Sequence, residues 1–590
     1  MNTDSTFTAP RSSSKGEVRI DWRVSIPLRD GTCLSATAYH PRQGSVRRPC
    51  IVTMTPYMRD NHHGRGLFFA RAGFVFLAVD VRGRGGSGGN FNPLLQEARD
   101  GHDVVEWAAH KRFCNGKVAM WGGSYSGYAQ WATAKEFPKH LACIAPAAAA
   151  YPGLDVPMRN NIFQPYGIQW LTYTEGTAAQ KLAFGDLAFW QDLFKRWHES
   201  GSAFRELDGW VGNPSPVFQQ WLDHPRQDKF WASHSPRPKE YRRLSIPILT
   251  ITGIYDDDQI GALGYYRQHM QYGSKRCRSR HHLVIGPWDH AGTRDPALQF
   301  GGIEVGPASK IDLLALHDEW YRWRMCGGTK PAFLKNAVVY YVMVAERWRS
   351  VASLDAVTSG RLPLYLSSAV NPNDPFCSGS LGERQSRRAV DSYTYDPRKT
   401  RGPEVTAEAA LLKDALIDQT LVHAMRGKSL FYHSDAFEDD LEIGGFFRLV
   451  LWLSIDQADA DIYVSIYELD TDGGSVLLST DAIRARYREG LHRERLVLSR
   501  RPLRYEFNRF TFVSRLIKKE RRLRLLVGPV GRLVDAGFRE RNFGAGGAVA
   551  GECVDQGRPV TVRVLHDRRY RSVLYMPLAN APKSPRTMAE

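Results

Sequence analysis

Residues 117–127, KVAMWGGSYSG, run from an apolar strand through a tight glycine turn and into a helix. A strand with no polar face must be covered on both sides, which is the situation of a parallel sheet layered between helices. The neighbouring sequence repeats that grammar. Residues 51–55 and 74–80 (FVFLAVD) read as further buried strands, and residues 94–111 carry Val104, Val105, Trp107 and Ala108 at helical spacing. A helix over 128–136 follows the glycine turn. The fold class expected is therefore α/β.

The pattern then changes and returns. Residues 151–243 hold Trp170, Trp190, Trp197, Trp210, Trp221 and Trp231 among helix-like stretches broken by Asn, Pro and Gly. Strands reappear at 246–253 and 282–286 with a helix at 259–272 between them, and a later helix at 313–325. The middle block thus reads as a helical cap inserted into the α/β domain. Beyond residue 337 short alternating runs dominate, at 338–344, 362–366, 446–454, 461–469, 523–527 and 560–565, which is the pattern of a β-sandwich or jelly roll. The expected division is 1–150 and 244–336 for the α/β domain, 151–243 for the cap and 337–590 for the all-β domain.

Composition narrows the function classes. A hydrophobic fraction of 43% and a charged fraction of 24% are those of a globular protein. The net charge of +17 invites a nucleic-acid reading, but the arginines are spread along the chain and the densest run, residues 518–524, sits in a strand-like segment. A solvated basic face is the simpler account, and no nucleic-acid partner is expected. No stretch reaches the roughly 18 apolar residues needed to span a bilayer, and the polar residues 1–16 carry no secretory pattern. The eight cysteines are scattered without a CxxC, as in a reducing compartment, so a cytoplasmic location is expected. No metal is expected: HExxH is absent, and the adjacent pairs His62-His63 and His281-His282 cannot easily face one ion. Residues 83–88 fit GxGxxG, with Asp103 about 20 residues on, yet Asn90-Phe91-Asn92-Pro93 separates the glycines from the helix, which argues against a dinucleotide cofactor.

The glycine turn at Ser124 is what an α/β-hydrolase needs at its nucleophile, since the sharp turn lifts the hydroxyl clear of the sheet. The strict GxSxG pattern is not met: position 126 is Ser, and the glycine follows at Gly127. A turn used only for packing is the competing account. A Ser hydroxyl needs a base, and the base needs a carboxylate, in the chain order Ser, acid, His. Strand 246–253 is followed by Tyr255-Asp256-Asp257-Asp258, and strand 282–286 by Pro287-Trp288-Asp289-His290, so both partners fall where this geometry asks. The oxyanion donors expected are the Tyr125 backbone N–H and the hydroxyl of Tyr57, which follows strand 51–55; His62-His63-Gly64 is a weaker source.

These segments resemble a known family, the one containing cocaine esterase, α-amino-acid ester hydrolases, glutaryl acylases and X-Pro dipeptidyl-peptidases. Residues 122–127 resemble its G-x-S-Y-x-G elbow, Thr55-Pro56-Tyr57 its oxyanion tyrosine segment, and residues 80–87 its D-x-R-G-x-G-x-S loop. Residues 253–256 are similar to its acid segment and residues 286–290 to its G-P-W-x-H histidine segment. The resemblance implies an α/β-hydrolase domain with a helical cap and a C-terminal jelly roll, Asp256 as the acid, and Tyr57 with the Tyr125 N–H as the oxyanion hole. In the α-amino-acid ester hydrolases further carboxylates past the acid hold a substrate ammonium. This chain has Asp257 and Asp258 but then Gln259, with Asp155 in the cap region; Asp257 and Asp258 serve equally well as caps of the next helix. Asp257, Asp258, Trp170 and Trp288 are the candidate substrate contacts, and the cap tryptophans either line an acyl pocket or form core.

The expectation is a serine hydrolase that cleaves a small ester or amide through an acyl-enzyme on Ser124, with Asp256 and His290 and without a cofactor. Peptidase, acylase or acyltransferase activity would use the same triad. A non-catalytic binding protein on this scaffold is disfavoured by the intact Ser, Asp and His. Homo-oligomerisation is left open.

Overall fold

Ten strands form the first sheet: β1 (Val18–Pro27), β2 (Cys33–Pro41), β3 (Arg48–Thr55), β4 (Val75–Asp80), β5 (Cys114–Ser124), β6 (Leu141–Ala149), β7 (Ile248–Tyr255), β8 (His281–Asp289), β9 (Val338–Val342) and β10 (Arg347–Val351). They come from a computed structural model that describes residues 18–42, 46–383, 390–396, 414, 416–529 and 558–580. Residues 1–16 and Cys553 lie outside the described residues. The spatial order is β1-β2-β4-β3-β5-β6-β7-β8-β9-β10, antiparallel at both edges and parallel from β4 to β9. Every residue of β4 (VFLAVD) is buried, as a central parallel strand covered on both faces requires.

Helices α1 (His63–Arg71), α2 (Glu97–Ala109), α3 (Tyr125–Ala134), α4 (Gln259–Tyr272) and α5 (Leu313–Met325) cover the sheet. Val104 and Val105 of α2 and Trp131 of α3 belong to one core layer; Phe69 of α1 and Trp320 and Tyr321 of α5 belong to another. The expected helix at 128–136 in fact begins at Tyr125. There is no loop: Ser124 is both the last strand residue and the N-cap of α3. The sheet also runs past residue 337. Strand β9 pairs parallel with β8 and β10 pairs antiparallel with β9, so residues 338–351 close the first sheet although their short apolar pattern reads like the strands beyond them.

Between β6 and β7 the chain leaves the sheet for a set of short helices, among them Tyr166–Tyr173, Leu187–Glu199 and Pro216–Leu222, and a small hairpin, Met158–Arg159 with Ile162–Phe163. Trp190, Trp197, Trp221 and Trp231 are at most 2% exposed and belong to the core that also holds Val104, Val105 and Trp131 of the α/β domain. Most of the cap tryptophans are thus structural. No helix among the described residues is long and apolar enough to cross a membrane.

Strands from Gly360 to Leu578 build the C-terminal all-β unit around a second core that includes Leu449, Leu451, Leu453 and Ile466. It docks on the α/β domain close to the end of β7. The Gln259 side chain donates to the carbonyls of Gly253 (3.0 Å) and Ile254 (2.8 Å) and accepts from the Phe512 N–H (2.6 Å). The Tyr255 hydroxyl donates to Leu477 O at 3.1 Å. The insertion joins the same junction through Asn160, whose amide donates to Asp481 Oδ1 (3.0 Å) and Ala482 O (2.9 Å). Replacing Gln259 with Leu removes the acceptor of the buried Phe512 N–H and a donor to Ile254 O, while Gly253 O keeps the Asp256 N–H at 3.3 Å, and the expected loss is about 1–3 kcal/mol in urea unfolding. An unchanged midpoint would remove Gln259 from the junction.

Candidate active site

The β5–α3 turn sets the geometry of the cavity. Ser124 has φ 59° and ψ −125°, outside the regions a side-chain-bearing residue prefers. Two neighbours make the turn feasible. Gly122 has φ 141°, and a Cβ there would lie 2.5 Å from the Ser126 Cβ. A Cβ on Gly127 would lie 2.7 Å from the Ala147 carbonyl oxygen of β6, so α3 can approach the sheet only with glycine at that position. Ser126, which replaces the second glycine of GxSxG, is buried and its hydroxyl donates to Met54 O of β3 at 2.7 Å. The departure from the pattern is thereby a tie between the helix start and the sheet. At the helix start the Tyr125 N–H has no intrahelical acceptor and carries the positive end of the α3 dipole.

Asp256 stands just past β7 and is 4% exposed. Its Oδ2 accepts from the Thr252 hydroxyl (2.7 Å); its Oδ1 accepts from the Asp258 N–H (3.1 Å) and lies 2.8 Å from His290 Nδ1. The His290 ring is half-buried just past β8, and Asp258 Oδ2 lies 3.9 Å from the same nitrogen. Burial is the largest influence on this imidazole and lowers its pKa, as does the Arg294 charge; Asp258, then the Asp256 hydrogen bond and charge, outweigh them and hold it above the ordinary histidine value. Ser124 and His290 line the same cavity, and the serine hydroxyl does not hydrogen-bond the ring among the described contacts. Such pairs commonly tighten only when substrate binds.

Tyr57 is held from three sides. Its hydroxyl oxygen accepts from Trp170 Nε1–H at 2.9 Å, which leaves its own proton to donate. Its ring stacks on Tyr173 (centroids 5.3 Å apart, 16° between planes) and meets Tyr125 edge-on. Burial pushes its pKa far above the ordinary phenol value, so the proton stays on. Behind it the fully buried Arg84 donates from Nε to the Pro56 carbonyl at 2.9 Å and from Nη1 to the Thr174 carbonyl at 2.5 Å. The Tyr125 hydroxyl donates to buried Glu97, whose carboxyl is pushed up to about 7 by burial.

Ser124, His290 and Asp256 line one open cavity with Tyr57, Trp170 and Tyr125. The carboxylates of Asp155, Asp257 and Asp258 line it as well. Two expectations are corrected. Trp288 lies outside the cavity and is 1% exposed: its ring and carbonyl fill the space over Gly253 and Gly286, and its Nε1–H donates to Ser309 O at 3.3 Å. The segment His62-His63-Gly64, expected as a weaker backbone donor, is not among the residues that line the cavity, and its His62 ring packs edge-on against Trp121 (5.7 Å). The glycines of residues 83–88 fold over the buried Asp80, since a Cβ on Gly85 would lie 2.1 Å from its carboxylate, and Asp103 is engaged by Arg29. Sequence reasoning missed Thr252, Arg84 and Glu97. Arg84 lay within a motif already noticed, whereas Thr252 is one threonine in an apolar strand and gave no signal. It also missed a cluster of Glu106, His110 and His140 outside this cavity, where a 2.7 Å Glu106–His140 hydrogen bond accounts for the proximity.

The family model described as X-Pro dipeptidyl-peptidase (S15 family) matches residues 30–292. A second, described as X-Pro dipeptidyl-peptidase C-terminal non-catalytic domain, matches residues 337–564, so β9 and β10 fall in its span while pairing into the first sheet. Cocaine esterase from Rhodococcus sp. (strain MB1 Bresler) is 26% identical over 505 residues, covering 81% of this chain and 85% of that protein. Among solved structures, an aminopeptidase from the marine sediment archaeon Thaumarchaeota archaeon superposes with a TM-score of 0.78 at 20% identity, over 98% of this chain and 100% of that one. An α-amino-acid ester hydrolase superposes with a TM-score of 0.78 at 19% identity, over 98% and 99%. The two structural likenesses are likenesses of fold.

A base must be neutral to accept a proton, so were His290 the base of the reaction, its raised pKa would move the acidic limb of the pH–rate profile to higher pH. Replacing Asp258 with Asn removes a carboxylate that stabilises the imidazolium, and the limb of kcat/KM then shifts to lower pH. An unmoved limb would mean that Asp258 does not act on His290.

Proposed function

Since the chain belongs to the serine hydrolase family of cocaine esterase and the X-Pro dipeptidyl-peptidases, whose members cleave ester or amide bonds, we propose that Ser124, Asp256 and His290 carry that reaction through a covalent acyl-enzyme. The observation that carries the assignment is the strained Ser124 turn opening on the same cavity as a His290 ring fixed by Asp256 at 2.8 Å. Ser124 attacks the carbonyl as His290 Nε2 takes its proton, and Asp256 holds the tautomer that leaves Nε2 free. The Tyr125 N–H and the Tyr57 hydroxyl stabilise the tetrahedral oxyanion. His290 then protonates the leaving group, and water activated by the same ring releases the acid. The C-terminal unit, which we read as a jelly roll, braces the acid turn through Phe512 and Gln259 and adds Thr511 to the cavity wall.

The lining favours acyl groups that carry an ammonium. Asp155 is buried: its Oδ1 accepts from the Tyr151 N–H at 2.7 Å, and its Oδ2 lies so close to α4 that a Cβ on Gly261 would be 2.1 Å away. Burial, and then the charge of Asp258, hold this carboxyl well above the usual range. A cation between Asp155 and Asp258 would relieve both. The names of the aminopeptidase and the α-amino-acid ester hydrolase of like fold agree with this reading.

Intact-mass labelling with a fluorophosphonate is expected to add one group to the wild type and none to Ser124→Ala, whose kcat falls by several orders of magnitude with folding intact. Labelling of the variant would refute Ser124 as nucleophile. Tyr57→Phe is expected to lower kcat about 10²–10³-fold, and a loss below about threefold would exclude its hydroxyl from the oxyanion hole. Asp155→Asn is expected to lower kcat/KM for an aminoacyl p-nitrophenyl ester more than for its N-acetyl counterpart. Equal losses would exclude ammonium recognition at this position.

A further inference from the structure

Arg159 is the cationic side chain on a cavity wall that otherwise carries the carboxylates of Asp155, Asp257 and Asp258. It belongs to the insertion's small hairpin, and that hairpin is fixed in place. Asn160 and Asn161 turn it with φ of 53° and 64°, and their amides donate into the all-β unit, that of Asn161 to Leu491 O at 2.8 Å. The guanidinium is pinned at one corner, where Nη2 donates to Thr480 O (2.9 Å) and Thr480 Oγ1 (3.2 Å). Its Nε–H is buried and meets no acceptor among the described residues. The nearby Asp481 does not take that role: its oxygens accept from Asn160 and from the N–H groups of Ala482 (2.8 Å) and Arg509 (2.8 Å). A buried N–H without an acceptor is costly to fold, and an acceptor brought by a bound molecule offsets that cost.

A half-satisfied guanidinium on a substrate cavity, hydrogen-bonded to a carbonyl and a hydroxyl and reached by Asp481 through charge alone, is arranged to take a carboxylate from the substrate, whose two oxygens match the guanidinium fork. We infer that Arg159 is a specificity-determining residue that binds a free carboxylate of the substrate, so that the preferred ester or amide carries one besides its scissile bond. With the acidic wall opposite in charge, the cavity then suits a zwitterion: an ammonium on the acyl part and a carboxylate on the remainder, as in an acylated amino acid. This inference rests on Ser124 as nucleophile.

The test compares an aminoacyl anilide with the same aminoacyl group on the aminobenzoate isomers, which differ from it by one carboxylate. Wild type, Arg159→Gln and Arg159→Lys are measured with both. Arg159→Gln is expected to lower kcat/KM for the best aminobenzoate substrate at least tenfold more than for the anilide, mainly through KM. Arg159→Lys, which keeps the charge and loses the fork, is expected to fall between. Equal losses on both substrates, or none, would overturn the assignment, because a merely structural loss of the Thr480 contacts acts on both alike. Fluorophosphonate labelling of all three proteins separates the two levels. A labelled enzyme without the carboxylate effect overturns the role of Arg159 alone, whereas a wild type that neither labels nor cleaves overturns the Ser124 reading and this one with it.

Discussion

The backbone at Ser124 occupies a conformation that costs of order 1–3 kcal/mol, and a strain of that size persists only where the surroundings over-determine it. Here they do so from both sides. Strand β5 pairs with β3 as far as Met120 and with β6 from Val118 to Ser124, and α3 is pressed against β6 at Gly127 and tied to β3 through Ser126. The turn has no slack residue in which to relax. The hydroxyl, the first free N–H of α3 and the dipole of that helix are consequently delivered to one point by the stiffest part of the molecule. The remaining groups have only to be brought to that point.

They are brought by three different pieces of the chain. The α/β domain supplies Tyr57, Asp256 and His290 at the ends of β3, β7 and β8; the insertion supplies Trp170, Asp155 and Arg159; the all-β unit supplies Thr511. The insertion shares an apolar core with one face of the α/β domain and the all-β unit has a second, and the polar contacts that join them, Gln259 with Phe512 and Asn160 with Asp481, fall near the cavity. The cavity's charge pattern, acidic on the α4 side and basic at the hairpin, is a product of that junction and of no single piece.

The legibility of these parts in the sequence follows from how local each one is. Strand β4 is buried on both faces and announces itself as FVFLAVD, and helices α4 and α5 begin and end where their periodicity does. That Ser124, Asp256 and His290 meet at one cavity was legible because a glycine turn and two strand ends in fixed order are features of neighbouring residues. Strand β9 was assigned with the strands that follow it because five apolar residues do not reveal which sheet they join. Trp288 was expected in the cavity from its place beside His290, but it fills the space that Gly253 and Gly286 leave above the strands. Thr252, Arg84 and Arg159 act on partners that are adjacent only after folding, and no spacing rule reports such pairs.

Arg84 ties two distant stretches of chain together: its guanidinium holds the Pro56 carbonyl beside Tyr57 and the carbonyls of Thr174 and Gly176 at the end of the Trp170 helix. During synthesis the first of these is made well before the second. A nascent chain that has emerged as far as Ser124 therefore carries the serine proposed as nucleophile but has no settled Tyr57, because the indole that orients that ring and the carbonyls that bury Arg84 have yet to appear. Asp256 and His290 come later still. On the proposed assignment, hydrolytic competence is in this way deferred to the closing stage of folding, when the last of these side chains reaches the turn at Ser124.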